Sequence, residues 1–216
     1  MHMKKIAIYG AGGFGREVLT LINDINRINH QYQVIGFFDD GKSKEDVVNG
    51  YNILGGYDEF NAWPEKIDVV LAIASPEVKR RIVENLNNDN IEFPTLIHPS
   101  AIIMDKNYST IDCGCIVCAG VIISVNTILK RFVALDWNCT VGHDTEIKDY
   151  CSFMPSVNVS GESTIGEGVY VGVGAKLINR LTVGDNTIIG AGAVVAKDLP
   201  ANCTAVGVPA KVIKFH

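Results

Sequence analysis

The chain is predicted to be a small parallel α/β domain over residues 1–95 followed by a parallel β-helix over residues 96–216. Two observations carry this. First, every sixth residue from Ile111 to Val195 is aliphatic or Phe, fifteen positions without a gap. Neither the 3.6-residue helix period nor the two-residue strand period produces that repeat, whereas a solenoid whose short units bury one apolar residue each against the next does. Second, residues 1–95 alternate short apolar runs with helical spacing, the pattern of strands crossed by helices.

Lys5 to Tyr9 reads as a strand, Gly10 to Gly15 as a glycine turn, and Arg16 to Asn26 as a helix. A second strand, Tyr32 to Phe38, ends in Asp39-Asp40, and a third runs from Asp68 to Ala74. Gly55-Gly56 marks a turn between them. Glu77 to Asn88 reads as a helix with Val78, Ile82, Val83 and Leu86 on one face. Pro94 and Pro99 then interrupt regular structure, placing the boundary near Phe93 to Ser100. At three hexads per turn the fifteen hexads make five coils, roughly 24 Å of prism at the usual interstrand spacing.

Composition narrows the function. A net charge of −5 with interspersed signs disfavours nucleic acid as a partner. No apolar run reaches the roughly 18 residues of a membrane span, and Met1 to Lys5 leads into a strand, so the cytoplasm is the expected location. Six cysteines include Cys113-x-Cys115-x-x-Cys118, a spacing that superficially suggests metal ligands. Cys115, Cys139 and Cys151, however, each fall two residues before a repeat apolar residue, where a coil takes a small packable side chain. No histidine or second paired motif completes a zinc site, so reduced structural thiols and no metal are expected.

Two constellations carry chemistry. Gly10-x-Gly12-x-x-Gly15 between a strand and a helix is a turn that lets backbone N–H groups approach a phosphate, and Asp39, 24 residues past Gly15, stands where an acid meets a ribose. With only three clear strands, about half of a full dinucleotide-binding sheet, a mononucleotide or nucleotide-sugar site fits better than NAD; a turn that binds nothing is the plain alternative. In the prism, Val141-Gly142-His143-Asp144 holds the only histidine of the fifteen hexads. An imidazole at the surface takes a proton near neutral pH, and Asp144 would orient it. Adjacent residues on a flat strand point oppositely, so the pair needs a coil corner to meet. One coil on from His143 lies Gly161, read either as a tight corner or as backbone left open to a ligand; the next coil places Asn179 there, and Ala191-Gly192 follows two hexads later.

The chain resembles the hexapeptide-repeat acyltransferases of bacterial sugar pathways, similar to nucleotide-linked amino-sugar N-acetyltransferases and to sialic acid O-acetyltransferases. The resemblance rests on Tyr9-Gly10-Ala11-Gly12-Gly13-Phe14-Gly15-Arg16-Glu17, Gly36-Phe37-Phe38-Asp39-Asp40, His98-Pro99-Ser100-Ala101, Gly142-His143-Asp144 and Gly207-Val208-Pro209-Ala210-Lys211. It implies a left-handed β-helix that forms a homotrimer, a Rossmann-like N-terminal domain that holds a nucleotide sugar, and acetyl-CoA as a co-substrate in the groove between subunits, with no permanently bound cofactor. By the same resemblance His143 is the general base and Asp144 its partner. Gly161, Asn179, Ala191, Gly192 and Lys211 meet acetyl-CoA, and Gly10, Gly12, Gly13, Asp39, Asp40 and Asp136 meet the acceptor. Two positions depart from relatives: Asp136 stands where Asn is usual, and Ser152 where one relative has a second histidine. The implied activity is acetyl-CoA-dependent N-acetylation of a nucleotide-linked amino sugar such as a UDP-amino sugar, in surface glycan biosynthesis. The competing readings are O-acetylation of a sugar and a non-catalytic nucleotide-binding scaffold.

Overall fold

A computed structural model describes residues 3–216. Its N-terminal region holds β1 (Lys4–Tyr9), α1 (Gly13–Asn29), β2 (Tyr32–Phe38), β3 (Val47–Val48), β4 (Tyr51–Gly55), α2 (Tyr57–Asn61), β5 (Ile67–Leu71), α3 (Pro76–Glu84) and β6 (Ile91–Glu92). They form one sheet in the order β3-β4-β2-β1-β5-β6, with only the β3–β4 pair antiparallel. The sheet therefore has twice the three strands legible in the sequence. β4 escapes the reading because it is short, partly solvated and ends in the glycine pair. The strand count consequently gives no argument against a dinucleotide. The central strands are buried on both faces, as Ile6, Ala7, Ile8 and Val69 show, which is why they read as unbroken apolar runs.

Strands of two residues build the prism, stacked in three parallel sheets. The first face carries Leu96–Ile97, Ile116–Val117, Ala134–Leu135, Ser152–Phe153, Tyr170–Val171 and Ile188–Ile189, and is continued by Cys203–Val206 and the antiparallel Lys211–Phe215. The second runs from Ile102–Ile103 through Thr140–Val141 to Val194–Val195, the third from Thr110–Ile111 to Thr182–Val183. From Thr110 to Val195 successive strands of a face pair 18 residues apart, so the register equals three hexads, and the closing step from Ile188 to Thr204 is 16. Fourteen of the fifteen repeat positions are buried, and Ile111 packs against the same core. Each full burial contributes about 1.5–3 kcal/mol.

Five coils is a correct count of the strict repeat but not of the prism. Two further strands precede it, Leu96–Ile97 and Ile102–Ile103, which complete a coil with Thr110–Ile111, and Ile122 pairs with Ile102 whereas Ile128 pairs with Thr110. Two extra residues between Ile103 and Thr110 hide this coil from a six-residue count.

A second six-residue period lies in the backbone. Positions 114, 120, 126 and so on to 192 all have positive φ, from 54° at Asn126 and Asp144 to 72° at Gly114. Glycine and asparagine accept this readily, while Phe132 and Tyr150 do so at a cost of about 1–2 kcal/mol each. Those two rings stack at 5.5 Å with Phe93 edge-on to Phe132, and the Arg80 guanidinium lies over Tyr150. Beside them the buried Lys79 ammonium donates to the Phe132 and Cys151 carbonyls at 2.7 and 3.1 Å. The α/β region is thereby seated on the first face, burying the outward side chains of Leu96, Ile116, Ala134 and Ser152.

Candidate active site

His143 and Asp144 stand at the corner between the second and third faces. Asp144 is a positive-φ corner residue, so the flat-strand geometry that would separate the two side chains does not apply. His143 Nδ1 lies 2.8 Å from Asp144 Oδ2. An ionised carboxylate only accepts, so Nδ1 carries the hydrogen and Nε2 keeps its lone pair. Both side chains are about half exposed, and Nε2 has no hydrogen-bond partner among the described residues. The hydrogen bond from His143, then one from Asn126, holds the Asp144 carboxyl below the usual carboxylate range.

Glycines make this corner possible. A Cβ on Gly142 would stand 2.4 Å from the Gly161 nitrogen, and a Cβ on Gly161 would stand 2.7 Å from His143 Nε2. Gly161 lies in this corner one coil on without a positive φ, so its backbone does not demand glycine; its missing side chain leaves room for the imidazole. The backbone keeps the coils in step, with Glu162 N–H donating to the His143 carbonyl at 2.8 Å. Asn179, exposed, continues the same corner one coil further, beside the Arg180–Glu162 pair at 3.0 Å.

Other expected donor residues lie elsewhere within the chain. Ala191 and Gly192 occupy the corner between the first and second faces, and Lys211 begins the terminal antiparallel strand. All three are exposed.

At the C-terminal edge of the α/β sheet lies a cleft of about 440 Å³ lined by Tyr9, Gly10, Asp39, Asp40, Tyr57 and Arg81, among others. Asp39 is committed to shape: its Oδ2 accepts from Ala11 N–H at 2.7 Å and its Oδ1 from Gly41 N–H at 2.9 Å. Asp40 accepts from the Tyr9 hydroxyl and the Tyr57 N–H, each at 2.7 Å. Burial first, then this contact with Asp40, raises the Tyr9 pKa, so the phenol stays a donor. Gly10 and Gly15 are demanded by packing, since a Cβ would meet the Ala72 oxygen at 2.7 Å or the Gly10 oxygen at 1.8 Å. Gly12 and Gly13 are different. They are exposed, a methyl placed on either would find no atom within 4 Å, and they precede or open α1 with no side chain capping its N–H groups. Free N–H groups at a helix start with open space before them suit an anion.

Tyr57, Arg81 and Asn85 line this cleft and were not legible as site residues. Their only signal was position: Arg81 and Asn85 are four apart on α3 and its cap, beside Val78 and Ile82.

Asp136 lies apart from that cleft. It is buried where α1 meets the prism, accepts from Trp137 N–H at 2.7 Å, and is pushed upward in pKa by desolvation. Glu17 of α1 is raised too, by burial and by Asp136. Within one chain Asp136 does not join Asp39 and Asp40 in the cleft. Ser152 is wholly buried beneath the α/β region, so it is no surface counterpart to a second histidine. The cysteines divide: Cys113 is exposed, while burial pushes the Cys115, Cys139 and Cys151 thiols up to about 12. Their sulfurs lie against coil carbonyls, such as Gly166 O at 3.0 Å from Cys151. Among the described residues no group of three or more His, Cys, Asp or Glu is placed to share a metal, and no helix is long and apolar enough to cross a membrane.

Residues 5–86 match the family model for the PglD N-terminal domain, and residues 162–197 that for the bacterial transferase hexapeptide, six repeats. These matches define the class, a transferase of hexapeptide repeats behind a small α/β domain. A GDP-perosamine N-acetyltransferase of Escherichia coli O157:H7 is 33% identical, covering 98% of this chain and 97% of its own. Among solved structures, the acetyltransferase domain of PglB from Neisseria gonorrhoeae FA1090 in complex with acetyl coenzyme A superposes with a TM-score of 0.87 at 30% identity, covering 98% of this chain and all of that one. PerB from Caulobacter crescentus in complex with CoA and GDP-perosamine gives 0.85 at 25% identity, covering 99% of both. The chain belongs to the hexapeptide-repeat acyltransferase family, close to its perosamine- and PglB-type N-acetyltransferases.

Proposed function

We infer that the protein transfers the acetyl group of acetyl-CoA to the amine of a nucleotide-linked amino sugar. The observation that carries the reading is the His143–Asp144 pair at the coil corner, with Nδ1 committed and Nε2 unpartnered among the described residues, in a chain similar along its whole length to a GDP-perosamine N-acetyltransferase. The sugar nitrogen attacks the thioester carbon as His143 Nε2 takes its proton. The N–C bond forms, the C–S bond breaks, and the proton reaches the departing thiolate. General-base assistance of this kind is worth about 10² to 10⁴-fold. Asp144 holds the tautomer and stabilises the imidazolium. Acetyl-CoA is a co-substrate and not a resident cofactor.

Residues 1–95 serve as the nucleotide-sugar domain, with Gly12 and Gly13 at the phosphates and Asp39 and Asp40 shaping the cleft. Residues 96–216 serve as the left-handed β-helical acyltransferase domain. Gly161, Asn179, Ala191, Gly192 and Lys211 are assigned to acetyl-CoA, and Asp136 to positioning the acceptor from beneath α1. The α/β region sits on the first face, and His143 lies at the corner opposite. Cleft and base therefore meet only if different copies contribute them, which supports a homotrimer with sites between subunits. A cytoplasmic role in surface glycan biosynthesis belongs to the same reading.

The test is thiol release from acetyl-CoA with a panel of UDP-, GDP- and dTDP-linked amino sugars. One acceptor is expected to support turnover that His143→Ala lowers at least about 10²-fold. No turnover with any acceptor, or full rate in the variant, refutes the reading.

A further inference from the structure

The four positive-φ residues along the His143 corner are Asn126, Asp144, Glu162 and Arg180, one coil apart each. Their side chains form a ladder. Asn126 Nδ2 donates to Asp144 Oδ1 at 3.0 Å, and Arg180 Nε donates to Glu162 Oε2 at 3.0 Å. His143 thus has an anion beside it and another one coil further on, and each anion is held by a donor on its far side. Asp144 is the one bonded to the ring. Its two oxygens are taken by different partners: Oδ2 faces His143 Nδ1, and Oδ1 faces Asn126.

We propose that Asn126 is a positioning residue for catalysis, holding the Asp144 carboxylate against His143 so that Nε2 is presented as the proton acceptor. The proposal rests on the reading of His143 as general base. An exposed aspartate has two free torsions, and a single contact to the imidazole leaves the carboxylate able to swing into water. Anchoring the second oxygen one coil away removes that freedom. The backbone makes the anchor rigid, because Asp144 N–H donates to the Val125 carbonyl at 3.1 Å and fixes the two corners at the coil spacing. Glu162, held by Arg180, does not substitute: it makes no hydrogen bond to the ring, so it adds negative field without setting the tautomer.

Asparagine is also comfortable at positive φ, so a purely conformational role is the competing explanation. Asn126→Gly separates the two, because glycine keeps the corner and removes only the amide. Asn126→Asp keeps the size and replaces the donor with a second carboxylate. The proteins are compared as wild type, Asn126→Gly, Asn126→Asp and His143→Ala, using acetyl-CoA and the acceptor that turns over, with thermal unfolding as the folding control. Loss of one hydrogen bond to a charged group is expected to lower kcat in Asn126→Gly roughly 3- to 30-fold with little change in KM for either substrate. The acid limb of its pH–rate profile is expected to move to lower pH, because a less constrained Asp144 stabilises the imidazolium less. In Asn126→Asp the added anion is expected to move that limb to higher pH. Unchanged kcat and an unmoved limb in a folded Asn126→Gly, alongside a disabled His143→Ala, overturn the Asn126 proposal alone. Full rate in His143→Ala instead removes the reading beneath it.

Discussion

The prism and the α/β region bury similar side chains but keep their chemistry in different ways. In the prism every coil is the same backbone, so a functional residue is a local exception: one histidine, and a glycine one coil on that leaves it room. In the α/β region the elements differ, and the cleft arises where unlike elements end together at Tyr9, Asp39, Tyr57 and Arg81. Repetition makes a site easy to see and tightly fixed. Irregular packing makes a larger cavity whose walls come from distant parts of the chain.

Core substitutions give the largest expected separation between the regions. Phe153 is fully buried in the prism core, and Phe153→Ala is expected to cost about 3–5 kcal/mol in denaturant unfolding. Since each coil rests on the next, thiol release is expected to fall together with stability. If the variant loses stability yet keeps full activity at a temperature where it is half unfolded, the coils are not the coupled unit described above.

A smaller effect tests the corner alone. With a Cβ 2.7 Å from Nε2, Gly161→Ala is expected to displace the His143 ring and lower kcat about 10²-fold while the melting temperature changes little. A wild-type kcat in that variant would show that the ring has slack the geometry does not suggest.

The junction between the regions gives the smallest term. Burial lowers the Lys79 pKa to about 8 from the ordinary 10.5. Between those values the unfolded chain binds more protons than the folded one, so Lys79's contribution to stability grows as pH rises through that window and is lost as pH falls back to 8. The stability difference between Lys79→Met and wild type is expected to move in favour of wild type from pH 8 to 10.5, by of order 1 to 3 kcal/mol. A constant difference across that window means that the ammonium is not desolvated as its position between the Phe132 and Cys151 carbonyls implies.

Legibility followed the same division. The six-residue spacing from Ile111 to Val195 exposed the prism because each hexad repeats one physical requirement, and it isolated His143 as the outlier. The first coil stayed hidden because two extra residues before Thr110 break the count. The positive-φ ladder was invisible as well: glycine, asparagine, phenylalanine and arginine all occupy it, so no residue type marks it. Asn126 was missed for that reason. In the α/β region the glycine turn and Asp39 were legible, but Tyr57 and Arg81 were not, since their convergence depends on the order of six strands. The placement of Asp136 beneath α1 likewise follows from how the two regions dock.

The central claim is that a working site takes its nucleotide cleft from one copy and His143 from another. Subunit mixing tests it most directly. Gly12→Phe puts a bulky side chain ahead of α1, at a position where a Cβ meets no atom within 4 Å, and is expected to be folded and inactive, as is His143→Ala. When the two are unfolded together, refolded at equal amounts and assayed for thiol release, random trimers are expected to recover about a quarter of wild-type activity, because each mixed assembly pairs some intact clefts with intact histidines. Separately refolded proteins should remain inactive. No recovery from co-refolded chains that do form mixed oligomers would place cleft and base in the same copy and contradict the account.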